Sequence, residues 1–281
     1  MRGGNRLKIL ILGASGYAGS YIKKVLDEKF NDVFGTYHTL RNDYKGNMSM
    51  IPYELGDMEG LLNILQKVNP DIVISCLTGD FTKLVLLHTI ISEYIKEKEN
   101  GRLIFLSSAN VFDGALEKAH FEYDVPKAAS EYGKFKIQCE KIICGALGER
   151  GIIIRIPEIY GRNCPRILKL KEAVKAHIPI KTFQNLYMNY TTNRQIAEWI
   201  AYIIENDLTG IFHVGTKDMS DYAGFQKKLA DKLSLGQPTF EITKEPIRLT
   251  QAVLPGRNEI PDSIQLNVED VIHHITGTVS F

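Results

Sequence analysis

Five short, almost wholly apolar runs recur through the first half of the chain: LKILIL (7–12), DVFGTY (32–37), DIVISCL (71–77), RLIFLSS (102–108) and GIIIRIP (151–157). Runs of this length suit strands buried on both faces of a parallel sheet. Segments of helical length separate them. The first, Tyr17 to Lys29, gathers Ala18, Tyr21, Ile22, Val25 and Leu26 on one face. Pro70 with Asp71, and Asn100 with Gly101, supply helix stops just before the third and fourth runs. Strand and helix in alternation over residues 1–157 predict an α/β fold built on a doubly wound parallel sheet.

Beyond Pro157 the rhythm loosens, with prolines at 165, 179, 238, 246, 255 and 261. Residues 158–281 therefore read mainly as a smaller carboxy-terminal lobe, with some later segments returning to the first domain. Helices are expected near Asn193 to Glu205 and Tyr222 to Leu233, with a strand at Gly210 to Val214 between them. With 281 residues, 44% hydrophobic and 24% charged, the chain can bury a full core. A formal charge of +1 and no dense basic block argue against a nucleic-acid or acidic-membrane surface. No apolar stretch approaches the roughly 20 residues of a membrane span, and no signal-peptide layout opens the chain, so a cytoplasmic location is expected. Cys76, Cys139, Cys144 and Cys164 form no CxxC pair and have no histidines at metal spacing, so reduced thiols and no metal site are expected.

Three features could carry chemistry. In ILGASGYAGSYI (9–20), Gly13, Gly16 and Gly19 follow the first apolar run at three-residue intervals. Such a turn is either a dinucleotide site or a tight strand-to-helix connection. As a site, Gly13 allows the sharp reversal, Gly16 admits a phosphate to the backbone, and Gly19 lets the helix lie close. Free amides at the helix start would then face a pyrophosphate. Tyr132 and Lys136 sit four apart and share one helical face. A phenol ionises near pH 10, so useful acid/base work near neutrality requires a shift of ~3 units, or ~4 kcal/mol. A lysine ammonium nearby is a suitable source of that shift. Ser107 and Ser108 end RLIFLSS at the carboxyl edge of a predicted parallel strand, where open sheets bind ligands.

Glycine turn, strand-end serine and Tyr-x3-Lys helix in this order resemble the extended short-chain dehydrogenase/reductase superfamily. More narrowly, they resemble its dTDP-4-dehydrorhamnose reductase-like group of sugar-nucleotide enzymes. FLSSANVFDG (105–114) is similar to that group's serine strand end and VFDG loop. FEYDVPKAASEYGKFKIQCEKII (121–143) is similar to its helix with an acidic residue, a proline, YGxxK and a glutamate. IIIRIPEIYG (152–161) and GIFHVG (210–215) resemble later strands. The resemblance implies a Rossmann-type NAD(P)-binding domain and a substrate lobe. It implies that Ser108 holds the substrate carbonyl, Tyr132 is the acid/base and Lys136 anchors the nicotinamide ribose. Gly13, Ser15, Gly16, Tyr17 and Gly19 match the dinucleotide turn; Asp57 and Met58 match positions near adenine. The second strand ends in Thr36, Tyr37 and His38 with Arg41 behind, where an NAD-preferring fold usually has an acid, so NADP is favoured. Asp43 keeps NAD possible.

The chain also departs from the group's pattern. CLTGDF (76–81) places Leu77 and Asp80 where a small, alanine-containing loop stands near nicotinamide and substrate. Asn110 replaces an aromatic-rich pair, and Cys139 a small glycine. Asn110, Asn163, Arg166 and Arg257 are the expected substrate contacts, the arginines because their fork suits a pyrophosphate. His213 reads as a satisfied strand residue, and His273 and His274 as helix residues. The expected activity is NADP-dependent reduction of a keto group on a nucleotide-linked sugar. An epimerase that returns its hydride is the alternative within enzymes; Ala109 and Asn110 argue against a dehydratase. A third reading is a non-catalytic NADP-binding regulatory subunit, a role this scaffold serves beside methionine adenosyltransferase. Homodimers are common in the superfamily.

Overall fold

The computed structural model describes residues 7–39, 46–236 and 238–277. A seven-stranded sheet runs in the order β10-β6-β5-β4-β1-β2-β3. Its strands are β1 (Lys8–Leu12), β2 (Asp32–Tyr37), β3 (Met50–Pro52), β4 (Ile72–Ser75), β5 (Arg102–Ser108), β6 (Gly151–Ile156) and β10 (Ile211–His213). The five apolar runs all become strands of this sheet, and the ladders joining β3, β2, β1, β4 and β5 are parallel. β3 had no signal of its own in the sequence. Three residues ending in Pro52 extend only because Gly35 to Tyr37 of β2 offer an open edge to pair with.

Between the strands run α1 (Tyr17–Lys29), α2 (Met58–Val68), α3 (Phe81–Lys96), α4 (Glu131–Leu147) and α6 (Asn193–Glu205). Leu10, Leu12, Val73, Leu103, Phe105 and Ile153 point to one face of the sheet. There they form a single core with Leu61, Leu65, Leu84, Leu87, Ile91, Phe135 and Ile143 of α2, α3 and α4. The alternate strand residues face the other way. α1 packs on β1 and β2, burying Ile22 and Leu26.

The chain divides into two compact units. The sheet unit holds Met1–Ser107, Lys134–Ile154 and Ile196–Phe212; the second holds Ser108–Gly133, Arg155–Gln195 and His213–Phe281. Within the second unit, β8 (Ile180–Met188) pairs in parallel with β12 (Phe240–Gln251) and antiparallel with β11 (Ser220–Asp221). β7 (Glu158–Tyr160) and β9 (Tyr190–Thr192) form a separate parallel ribbon. Three helices complete this unit: α5 (Pro165–Lys175), α7 (Tyr222–Lys232) and α8 (Val268–Thr276). Tyr190 and Phe225 stack at 3.8 Å in its core, with Tyr160 edge-on to both. The expected helices at 193–205 and 222–233 and the strand at 210–214 are all present, but the strand closes the edge of the large sheet.

Each unit buries one histidine completely. His88 Nδ1 donates to the Leu84 carbonyl at 2.7 Å, and its Nε2 accepts from Ser75 Oγ at 2.9 Å. His213 Nδ1 lies 3.2 Å from the carbonyls of His120 and Leu254, and its Nε2 accepts from Arg155 at 3.4 Å. His213 is thus the satisfied strand residue expected. Burial drives both imidazoles down from 6.5 to about 3. Between those values the unfolded chain binds protons that the folded chain refuses, so stability falls as pH drops through this window. We expect the urea midpoint to decline from pH 6.5 toward 3, each histidine adding up to about 1.4 kcal/mol per pH unit of slope. His88→Asn should flatten that slope whatever its effect on the midpoint; an unchanged slope would refute the assignment.

Candidate active site

The glycine turn leaves β1 with Gly13 at φ +83°, a conformation that side chains disfavour. A Cβ on Gly19 would lie 2.2 Å from the Gly13 carbonyl oxygen, so α1 approaches the turn itself rather than only the sheet. Gly16 N–H donates to Gly13 O at 3.0 Å and leads into α1, which Tyr17 opens. The loop is pinned from β2: Gly13 N–H donates to Thr36 Oγ1 at 2.9 Å and Ser15 N–H to the Thr36 carbonyl at 3.3 Å. Thr36 was read only as a missing acid; its buried hydroxyl holds the turn. A pocket of about 390 Å³ opens here, lined by Gly13, Ser15, Gly16, Thr36, Tyr37, His38, Glu54 and Leu77 among others. Bare backbone, a helix start and a cleft of this size fit a dinucleotide.

Other expected cofactor contacts have different partners. The Asp57 carboxylate caps α2 by accepting Gly60 N–H at 2.8 Å, and Met58 packs on the core. Asp80, expected near the substrate, caps α3 by accepting Lys83 N–H at 2.9 Å. Both are short acids at helix starts, where orphan amides claim them. Arg41 and Asp43 lie outside the described residues.

In the second unit, Ser108 and Tyr132 come together. Ser108 Oγ is hydrogen-bonded to the Tyr132 hydroxyl, lies 3.0 Å from Asn110 Oδ1 and accepts Asn110 N–H at 3.2 Å. What holds Tyr132 there is the VFDG loop. The Asp113 carboxylate accepts Ala129 N–H at 2.6 Å, Ser130 N–H at 3.1 Å and the Ser130 hydroxyl, and Ser130 Oγ in turn caps α4 by accepting Gly133 N–H at 3.0 Å. Burial works against the Asp113 charge, yet these bonds hold its carboxyl below the ordinary value. Gly133 completes the fit, since a Cβ there would lie 2.2 Å from the Asn110 carbonyl. Asp113, Ser130 and Gly133 were visible only as motif letters.

Lys136 belongs to the sheet unit, one turn along α4 from Tyr132. It is 4% exposed, donates to the Leu106 carbonyl at 2.7 Å and lies 4.5 Å from the Phe105 ring centroid. Burial lowers it from 10.5 to about 8. The Tyr132 phenol stands above its ordinary value. Burial raises the phenol, and the opposing effects come from the Ser108 hydrogen bond and the Arg166 charge.

The remaining substrate candidates lie in the second unit. Arg166 pairs with Glu158 at 3.2 Å, and Glu158 also accepts the Tyr160 hydroxyl at 3.1 Å. Arg257 grips Glu259 through Nε at 3.1 Å and Nη2 at 2.7 Å. Both guanidinium groups are already paired with carboxylates of this chain. Asn163 is exposed in the turn before α5, and His273 and His274 lie on α8.

A model of the RmlD substrate binding domain family matches residues 90–273. The chain belongs to this family. Membership makes it an NAD(P)-dependent oxidoreductase of the short-chain dehydrogenase/reductase type. A relative in Haloferax volcanii, described as a probable low-salt glycan biosynthesis reductase, is 21% identical and covers 79% of this chain and 78% of its own. Among solved structures, a dTDP-4-dehydrorhamnose reductase of Bacillus anthracis in complex with NADP superposes with TM-score 0.74 at 15% identity, over 99% of this chain and 100% of its own. The Bordetella bronchiseptica enzyme WbmH, in complex with NAD+, gives 0.79 at 14% identity over 96% and 97%. These likenesses are of fold, and they extend to proteins bound to either dinucleotide. No helix among the described residues is long and apolar enough to cross a membrane.

In this RmlD-family chain, Gly19→Ala must push α1 off the Gly13 carbonyl. Titration of NADP(H) fluorescence should show affinity falling about tenfold or more, with thermal unfolding shifted down by a cost of about 1–3 kcal/mol, as for overpacking elsewhere. Wild-type affinity would mean that the turn does not hold the cofactor.

Proposed function

We propose that the chain is an NADP-preferring reductase of a keto group on a nucleotide-linked sugar. The observation that carries this reading is the Ser108–Tyr132 hydroxyl pair, braced by Asp113, Ser130 and Gly133. Two adjacent hydroxyls suit a carbonyl oxygen: one orients it and the other gives it a proton. When bound, the nicotinamide supplies the hydride for the carbonyl carbon.

Tyr132 gives its proton to the oxygen as that carbon is reduced, and Ser108 Oγ donates a hydrogen bond to the same oxygen. The tyrosinate left behind is offset by the Lys136 ammonium and by Arg166, whose charge already favours the ionised phenol. Lys136 also anchors the cofactor ribose, as the resemblance implies. The NADP preference is supported by the end of β2, where Tyr37 and His38 line the pocket in place of the acid an NAD-preferring fold usually carries at that strand end. The family, and the reductases among its likenesses, support the substrate class.

The test follows nicotinamide absorbance with NADPH or NADH and a panel of nucleotide-linked 4-keto sugars. Wild type should consume NADPH faster than NADH, and Tyr132→Phe should lower turnover ~10²–10⁴-fold with little change in cofactor affinity. Unchanged turnover in that variant rejects the mechanism. Tight cofactor retention without net consumption would instead indicate an epimerase.

A further inference from the structure

Behind Lys136 the sheet unit encloses polar groups that the proposed chemistry does not use. Glu140, one turn beyond Lys136 on α4, is only 5% exposed. Its Oε1 accepts a hydrogen bond from Ser107 Oγ at 2.5 Å, and the residue before Ser107, Leu106, accepts the Lys136 ammonium at 2.7 Å. Consecutive turns of the helix are thus tied to consecutive residues of β5. Sliding α4 by one residue, about 1.5 Å along its axis and about 100° around it, would break both ties. A buried carboxylate is costly to dehydrate, and an apolar side chain would fill the space without that cost.

We propose that Glu140 is a positioning residue for Lys136: latched by Ser107, it supplies both the counter-charge and the helix register that fix the ammonium at the end of β5. The role rests on the reading of Lys136 as the residue that serves the cofactor.

Other groups around Lys136 are aromatic rings, thiols and an imidazole. The Phe105 ring of β5 lies 4.5 Å away and the Phe135 ring of α4 5.5 Å. The Cys139 thiol of α4 and the Cys76 thiol after β4 also act on it, but burial pushes both up to about 12, so they are neutral at physiological pH. His88 of α3 faces it and is held neutral down to about 3. Glu140 is a carboxylate that acts on Lys136 and holds its ammonium in the charged form. Its loss therefore lets burial depress the lysine further below about 8.

The experiment is an NMR titration of lysines labelled at Cε in the full chain, with Lys136→Arg to assign the resonance. Glu140→Gln keeps the size and a hydrogen-bonding oxygen for Ser107 but removes the charge. It should move the Lys136 midpoint down by ~1 unit or more, and Glu140→Asp should restore most of that shift. A merely structural glutamate would change the melting temperature and leave the midpoint in place, which overturns the proposal. Should Glu140→Gln not fold, Ser107→Ala decides. Unlatching the carboxylate should lower the midpoint by at least about half a unit, and no movement overturns the role. The titration needs neither substrate nor turnover. A chain that reduced no keto sugar would refute the reductase reading while leaving this result standing.

Discussion

Tyr132, Lys136 and Glu140, spaced by four along α4, meet Ser108, Leu106 and Ser107 at the end of β5. A helix returns a side chain to the same face every four residues or so, and a strand end offers a hydroxyl or carbonyl at each step. These contacts tie α4 to the end of β5. They also explain the cap on α4. A helix anchored along its length at three points must begin at a defined residue, and Asp113, Ser130 and the missing Cβ of Gly133 define it.

The electrostatics follow from dehydration. Burial lowers Lys136 and raises Tyr132, so each is pushed toward its neutral form. A neutral phenol is the correct starting state for a proton donor. A lysine near 8 remains largely protonated at neutral pH. In the proposed reaction that charge would favour a tyrosinate formed by proton transfer, the differential stabilisation that lowers a barrier.

The arginines carry a different constraint. Arg166 and Arg257 each hold a carboxylate of this chain, Glu158 and Glu259. If the proposed substrate reached them, its pyrophosphate would share or displace these pairs, which lowers net affinity but aims each guanidinium in advance.

The sequence by itself determined five of the seven strands of the large sheet, because these apolar runs and the helices between them carry their periodicity locally. It also determined the order of glycine turn, serine strand end and Tyr-x3-Lys helix, since each is a short contiguous pattern. The partnerships were decided by tertiary structure alone. Ser107 and Glu140 lie 33 positions apart, Asp113 and Ser130 17, and Gly13 and Thr36 23. A hydroxyl or carboxylate looks the same in sequence whether it caps a helix, faces water or latches a distant turn. Asp57 and Asp80 cap helices for this reason, while the Glu140 of the motif showed no partner. Only the packing of elements distant in the chain assigns these donors their acceptors, because dehydration penalises a buried polar group left without one.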